Sequence, residues 1–361
     1  MAFERLSEET LMMLAEIYGL MDYYDLTSAR QREQMYNDIN ALIEQLDTIA
    51  KADIPTELAY SYFEGFDSAR DDLLDINKSA FIAGALTLPR QKAIESGSIN
   101  VAFDEVVHTA AIESLMTDTM QDLSAAYRTF QDNAISTIED TVRDVQNEVS
   151  EYLSEGYSKD RLKGAVMERF QREGQTAFIS RDGKRLPLEY YSRMVVEAKV
   201  GQAHNRGHLS RYNESGIRLV KVVTHPFCCE NCAAHRDYVY SIDGEHPDFP
   251  QLPESLLPIH NFCRCTYSPV VLEYSTQSEI DEYYERLKTG VKDIRTDYQR
   301  KQYEDRQQNL RRENSLYKSI KKALGEDAVP YTLTEFRDMK KNDKASWDDL
   351  YSKYLESRKR A

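Results

Sequence analysis

With 361 residues the chain is longer than one hydrophobic core usually serves, so two or three structural units are expected. A formal net charge of -15 repels phosphate, which excludes a general nucleic-acid coat whatever one local patch does, and 30% charged residues suit much exposed helix. Glu4, Arg5, Glu8 and Glu9 interrupt the start and no run of about 18 apolar residues occurs, so neither a signal peptide nor a membrane span is expected.

From Glu8 to Ala50 the residues Leu11, Leu14, Tyr18 and Met21 recur at threes and fours, which predicts one or two amphipathic helices ended by Pro55. Residues 56 to 100 are less regular. Tyr60, Tyr62 and Phe63 can pack, while Gly65, Asn77, Gly84, Pro89 and Gly97 predict short helices and turns. Leu123, Tyr127, Phe130, Ala134, Ile138, Val142, Val145, Val149 and Tyr152 then repeat without Pro or Gly, predicting a long helix that ends near Gly156 and faces a bundle core. Ser158 offers an N-cap for a short helix carrying Leu162, Val166 and Phe170, closed at Gly174.

Thr176 to Ser180 and Lys184 to Leu186 read as a hairpin turned by Asp182-Gly183. Leu188 to Tyr212 is a helix stopped by Gly216, and Ile217 to Thr224 alternates as a strand. On that helix His204 and His208 lie one turn apart without the Glu of a His-Glu-x-x-His hydrolase, so a solvated face is expected, with Arg206 and Arg211 turned to an acidic partner or a phosphate. Helix returns from Ser278 to Leu324, interrupted at Gly290, and Trp347 marks another short helix.

All five cysteines, Cys228, Cys229, Cys232, Cys263 and Cys265, fall in one short segment together with His225, His235, His246 and His260. Without an export signal such thiols stay reduced, and a metal site outranks a disulfide framework. Cys229-Glu-Asn-Cys232 has the spacing of a knuckle that grips one ion, and His260-Asn-Phe-Cys263-Arg-Cys265 supplies a second half across a loop rich in Pro and Gly. Structural zinc is the natural fit, held by Cys229, Cys232 and Cys263 with either His260 or Cys265 as fourth ligand, His260 preferred and Cys228 spare. The competing readings are small buried thiols, or a disulfide from Cys229 or Cys232 to the later pair. A zinc deaminase needs a His-x-Glu element, which the chain lacks. A thiol or metal-dependent hydrolase remains as an alternative only because five thiols and several histidines crowd together.

At these residues the sequence resembles the phage minor head protein family, also called head morphogenesis or minor capsid proteins and typified by the F protein of phage Mu. Cys229-x-x-Cys232, a loop, and Pro258-x-His260-x-x-Cys263-Arg264-Cys265 are similar to the family's terminal signature. The strand, Asp-Gly turn and helix opening over Thr176 to Leu188, the segment Tyr191 to Gly216, and the helix around Tyr298 to Lys322 extend the likeness to about residues 158 to 322. The family's aliphatic-Asp-Gly element usually follows the second cysteine closely, whereas Ile242-Asp243-Gly244 arrives later here. The resemblance implies a structural, non-enzymatic, low-copy virion component near the portal. Portal, capsid or scaffold proteins are the implied partners, with roles in head assembly and in genome packaging or ejection.

The implied fold class is mainly α, with elongated helical arms and a small α+β module stapled by Cys and His. Its expected divisions are an N-terminal helical region over 1–157, a core over 158–277 and a helical tail over 278–361. Between Lys292 and Lys322 the chain is locally basic, and Arg300, Lys301, Arg306, Arg311 and Arg312 are candidates for contact with DNA or a protein partner. Asp293, Asp297, Glu304, Asp305 and Glu313 dilute that stripe, and ion pairing on an exposed helix is the plainer reading. A zinc-stapled DNA-binding module is therefore the first functional rival.

Overall fold

The computed structural model describes residues 2–82, 105–151, 159–180, 183–325, 329–330 and 333–360. Its helices are α1 (Ala2–Tyr23), α2 (Ala29–Ile82), α3 (Glu105–Glu151) and α4 (Lys159–Arg169), the last continued by a π-helical turn over Phe170–Gly174. A hairpin of β1 (Thr176–Ile179) and β2 (Arg185–Pro187) leads into α5 (Leu188–Glu214) and β3 (Leu219–Val223). Then come α6 (Glu230–His235), β4 (Val239–Ser241), β5 (Thr266–Val270), α7 (Gln277–Thr289), α8 (Asp297–Leu324), α9 (Leu333–Asn342) and α10 (Lys344–Arg360). The protein is mainly α with a small α+β module. Two compact units form, Met1–Thr224 with His235–Val291, and His225–Ala234 with Lys292–Ala361.

In the first unit α1, α2, α3 and α5 share one core. The stripe Met35, Ile39, Ile43, Leu46, Ala50, Ile54, Leu58 and Tyr62 runs buried along α2, and Leu123, Phe130, Ala134, Ile138 and Val142 run buried along α3. The latter is the bundle core expected from the sequence. Pro55, by contrast, does not end a helix: α2 passes through it, and the short helices and turns expected after residue 56 are one helix as far as Ile82. A proline inside a helix costs about 3 kcal/mol because the carbonyl four residues back loses its N–H. Ile54, Leu58 and Tyr62, all fully buried, each return about 2 kcal/mol of apolar burial and outweigh that loss. Gly84, Pro89, Gly97, Tyr152, Gly156, Ser158 and Asp182, to which the sequence reading gave roles, lie outside the described residues.

The hairpin forms as its sequence predicts. Phe178 pairs with Leu186 and Ile179 with Arg185, and Gly183 takes a φ of 77° in the turn. Leu188 opens α5, and Gly216, also at 77°, follows its end. A three-stranded antiparallel sheet in the order β4-β3-β5 then carries the cysteine-bearing loops. Leu219, Val239, Phe249 and Val270 bury its one face beneath Tyr283, Tyr284 and Leu287 of α7. Only β3 was legible beforehand.

In the second unit α8 packs on α9 and α10 through Tyr317, Ile320, Phe336, Leu350 and Tyr354, with Trp347 against the ring of Phe336. Sharp starts come from capping boxes: Thr276 with Glu279 opens α7 and Thr296 with Gln299 opens α8. Gly290, at a φ of 73°, follows the end of α7, so the expected interruption falls where the sequence places it.

Candidate metal centre

Local hydrogen bonds shape both halves of the cysteine segment. The Val222 amide donates to the Tyr238 carbonyl at 3.3 Å and the Asp237 amide to the Val222 carbonyl at 2.9 Å, so the chain leaves and re-enters the sheet at nearly one point. Within that excursion the Cys228 amide donates to the His225 carbonyl, and the Cys232 amide points at the Cys229 sulfur, 3.5 Å away. An N–H directed at the first sulfur of a Cys-x-x-Cys turn is a backbone contact that a metal-ligating sulfur accepts.

The second half is a tight turn in which the Cys263 amide donates to the His260 carbonyl at 3.1 Å and Phe262 adopts a φ of 61°. His260 Nδ1 lies 2.6 Å from the Asn261 carbonyl. A carbonyl only accepts, so Nδ1 carries the proton and the lone pair sits on Nε2, the position a metal would take. The side-chain amide of Asn205 on α5 donates to the Cys265 carbonyl at 3.2 Å and fastens the turn from beneath.

All five cysteines are thiols. The ligand atoms of Cys229, Cys232 and His260 lie within 4.8 Å of one another, as do those of Cys232, Cys263 and Cys265. Cys232 belongs to both groups. Such a set of sulfur and nitrogen ligand atoms could hold a metal ion. The other histidines of the segment are spent locally. His225 Nδ1 accepts from the Phe227 amide, His246 Nδ1 accepts from the Asp248 amide, and His235 Nδ1 lies 2.7 Å from the Tyr240 hydroxyl.

Beside Cys229, in the second unit, an open cavity of about 590 Å³ is lined by Glu230, Asp293, Arg295, Arg300, Tyr303 and their neighbours. Arg295 is buried there, giving Nη1 to the Cys228 carbonyl at 3.0 Å and both Nε and Nη2 to Asp293. That bidentate bond from Arg295, assisted by Arg300, holds the Asp293 carboxyl well below the usual carboxylate range. Sequence reading missed Arg295 as a support of the knuckle. The only signal was an Asp-x-Arg spacing ahead of the Thr296 cap.

Among the basic candidates, Arg300 is committed to Asp293 at 3.2 Å and Asp297 at 3.0 Å. Lys301, Arg306, Arg311 and Arg312 are exposed on α8. His204 and His208, expected on a solvated face, are instead turned inward: His208 is buried and Ser68 Oγ lies 2.7 Å from its Nε2. Burial first, and then the neighbouring His204, push the His208 imidazole down to about 4. Arg211 lies over the ring of Phe66 at 4.9 Å, contrary to the outward role expected of it. The reason is the crossing of α2 over this stretch of α5, which the period of the sequence alone does not reveal.

A profile of the family described as phage minor capsid protein 2 matches residues 66–329. Comparisons with curated proteins and with solved structures give no match.

Proposed function

Because the chain belongs to the phage minor capsid protein 2 family, we propose that this structural phage protein is built into the head near the portal and acts in head assembly. The family match, which spans most of the chain and includes the whole cysteine segment, carries the reading. Portal, shell and scaffold subunits are the partners such a position entails. The protein acts there by shape and contact, without turnover.

Within that role the cysteine segment holds a structural zinc ion through Cys229, Cys232, Cys263 and His260, with Cys265 the alternative to His260. The two ligand groups that share Cys232, and the amide aimed at the Cys229 sulfur, support the assignment. Zinc supplies cohesion that so small a loop module cannot draw from apolar burial, on the order of 10 kcal/mol in comparable modules. The test is twofold. Purified protein should contain about one equivalent of zinc, and Cys263→Ser should lower both the melting temperature and the amount of protein recovered in isolated heads. Metal-free protein with unchanged melting would remove the zinc assignment, whereas absence of the wild-type protein from heads would remove the capsid role.

A further inference from the structure

The molecule's charge is unevenly distributed. Over the whole chain 61 acidic residues face 46 basic ones, yet Lys292 to Ala361 carries 18 Lys and Arg against 13 Asp and Glu. Within α8 the segregation sharpens. From Arg306 to Leu324 the sole acid is Glu313, and it is already engaged by Arg337 at 3.3 Å and Lys340 at 2.9 Å.

Arg311, Ser315, Lys318 and Lys322 follow a 4, 3, 4 spacing and so share one face of α8, with Arg312 and Lys301 along its border. Four of the five cations of the C-terminal half, Arg311, Arg312, Lys318 and Lys322, are exposed, and Lys321 is half-buried. None of the four exposed cations forms an ion pair among the described residues. The opposite face buries Tyr317 and Ile320, which fixes the cations outward. Arg306 stands about 140° round the helix from Arg311 and falls outside the row. The structure thus narrows the basic candidates, dropping Arg300 and Arg306 and adding Lys318 and Lys322.

We infer that this face of α8 binds the phosphate backbone of double-stranded DNA without reading sequence. The row from Arg311 to Lys322 spans about 16 Å, several phosphates of one strand at about 3.4 Å each. Four long cationic side chains with no acid among them match that target. Arg and Lys can also read guanine edges, but none of these four has a side-chain hydrogen bond or ion pair among the described residues to fix its direction, so the row suits phosphate contact rather than readout. A contact of this kind lets a head component touch a genome of any sequence, which goes beyond a role in assembly.

The experiment is fluorescence anisotropy of the full-length protein with a labelled 30-base-pair duplex across a salt series. Binding is expected near 50 mM salt, with log K falling on log salt at a slope of about -3 to -4, or about -0.9 per phosphate neutralised. Replacing Arg311, Arg312, Lys318 and Lys322 together by Gln should weaken binding at least tenfold and flatten the slope, while Arg306→Gln should leave both nearly unchanged. If the fourfold variant melts differently from the parent, Lys318→Gln and Lys322→Gln singly should each reduce the slope by about 1. Absent binding at low salt, or a fourfold variant that binds like the parent, would overturn the inference. So would salt-sensitive self-association in place of DNA binding, which would assign the row to the acidic surface of a second copy. None of these readings requires assembled heads, so their failure is separate from failure of the capsid role.

Discussion

Gly65 and Gly207 meet where α2 crosses α5, each so placed that a Cβ on it would lie 2.0 Å from a carbonyl oxygen of the other helix, that of His204 or of Tyr62. The two backbones touch directly. The crossing is lined with hydrogen bonds that a wider separation would break. Tyr62 reaches Ser210 at 2.9 Å and His108 at 2.8 Å, and Tyr212 donates to Asp72 at 2.5 Å.

Gly65→Ala and Gly207→Ala should therefore each destabilise the first unit by about 3 kcal/mol, since rigid backbone cannot yield to the added methyl. Gly201→Ala, one helix face away with nothing within 4 Å of the added carbon, should instead gain up to about 1 kcal/mol from helix propensity. Urea unfolding of the three variants decides the matter. Equal effects at Gly201 and Gly207 would show that the crossing tolerates expansion.

His208 links the same crossing to pH. Its folded value of about 4 lies below the ordinary value of 6.5, because burial disfavours the charged ring. The folded state thus resists protonation that the unfolded chain accepts. Stability should be flat above about pH 6.5, decline as the pH falls toward 4, and lose on the order of 3 kcal/mol over that interval. His208→Gln should flatten the decline in melts taken from pH 7 to 4. An identical pH profile in parent and variant would exclude His208 as its source.

Asp293 is the counterpart in the second unit. Arg295 foremost, with Arg300, holds its carboxyl ionised, so its contribution is present above about pH 3.8 and disappears as acid protonates it in the folded state. Asp293→Asn leaves the Arg295 guanidinium, 6% exposed, without its anion and should cost about 3 kcal/mol at pH 7. The parent and variant curves should converge at acid pH. Curves separated by a constant offset down to pH 2 would contradict the ion-pair account.

Cys232 is the shared member of both ligand groups. On the proposed zinc assignment, Cys232→Ser should therefore remove most of the metal, whereas Cys265→Ser removes less and Cys228→Ser none. Elemental analysis after gel filtration reads this order, and equal zinc in all three variants would dissociate Cys232 from the centre.

Much of this was legible in the sequence because it depends on near neighbours. The α3 stripe, the Gly183 hairpin, the end of α5 at Gly216 and the break at Gly290 all follow from periods and turn residues a few positions apart. What escaped depends on distant contacts. Pro55 and Gly65 read locally as breakers, and only burial of Ile54, Leu58 and Tyr62 against other helices reverses that for Pro55. His204 and His208 likewise read as surface residues until α2 is laid over them. In the cysteine segment residue types and spacing were enough to point to a Cys/His cluster that could hold a metal ion. Arg295 and Asn205, which brace the two halves, lie far from them in sequence and carry no motif.

One consequence concerns the length of α8. Its first turn is pinned by the Thr296 box and by Arg295 on Cys228, and its later turns by Tyr317 and Ile320. Rotational phase between these anchors is set by residue count alone. A single insertion near Gln307 would shift one end by about 100° against the other, while a four-residue insertion would nearly restore it. Sequence drift along this helix is thereby held to a nearly fixed number of residues, whatever its composition outside the row from Arg311 to Lys322.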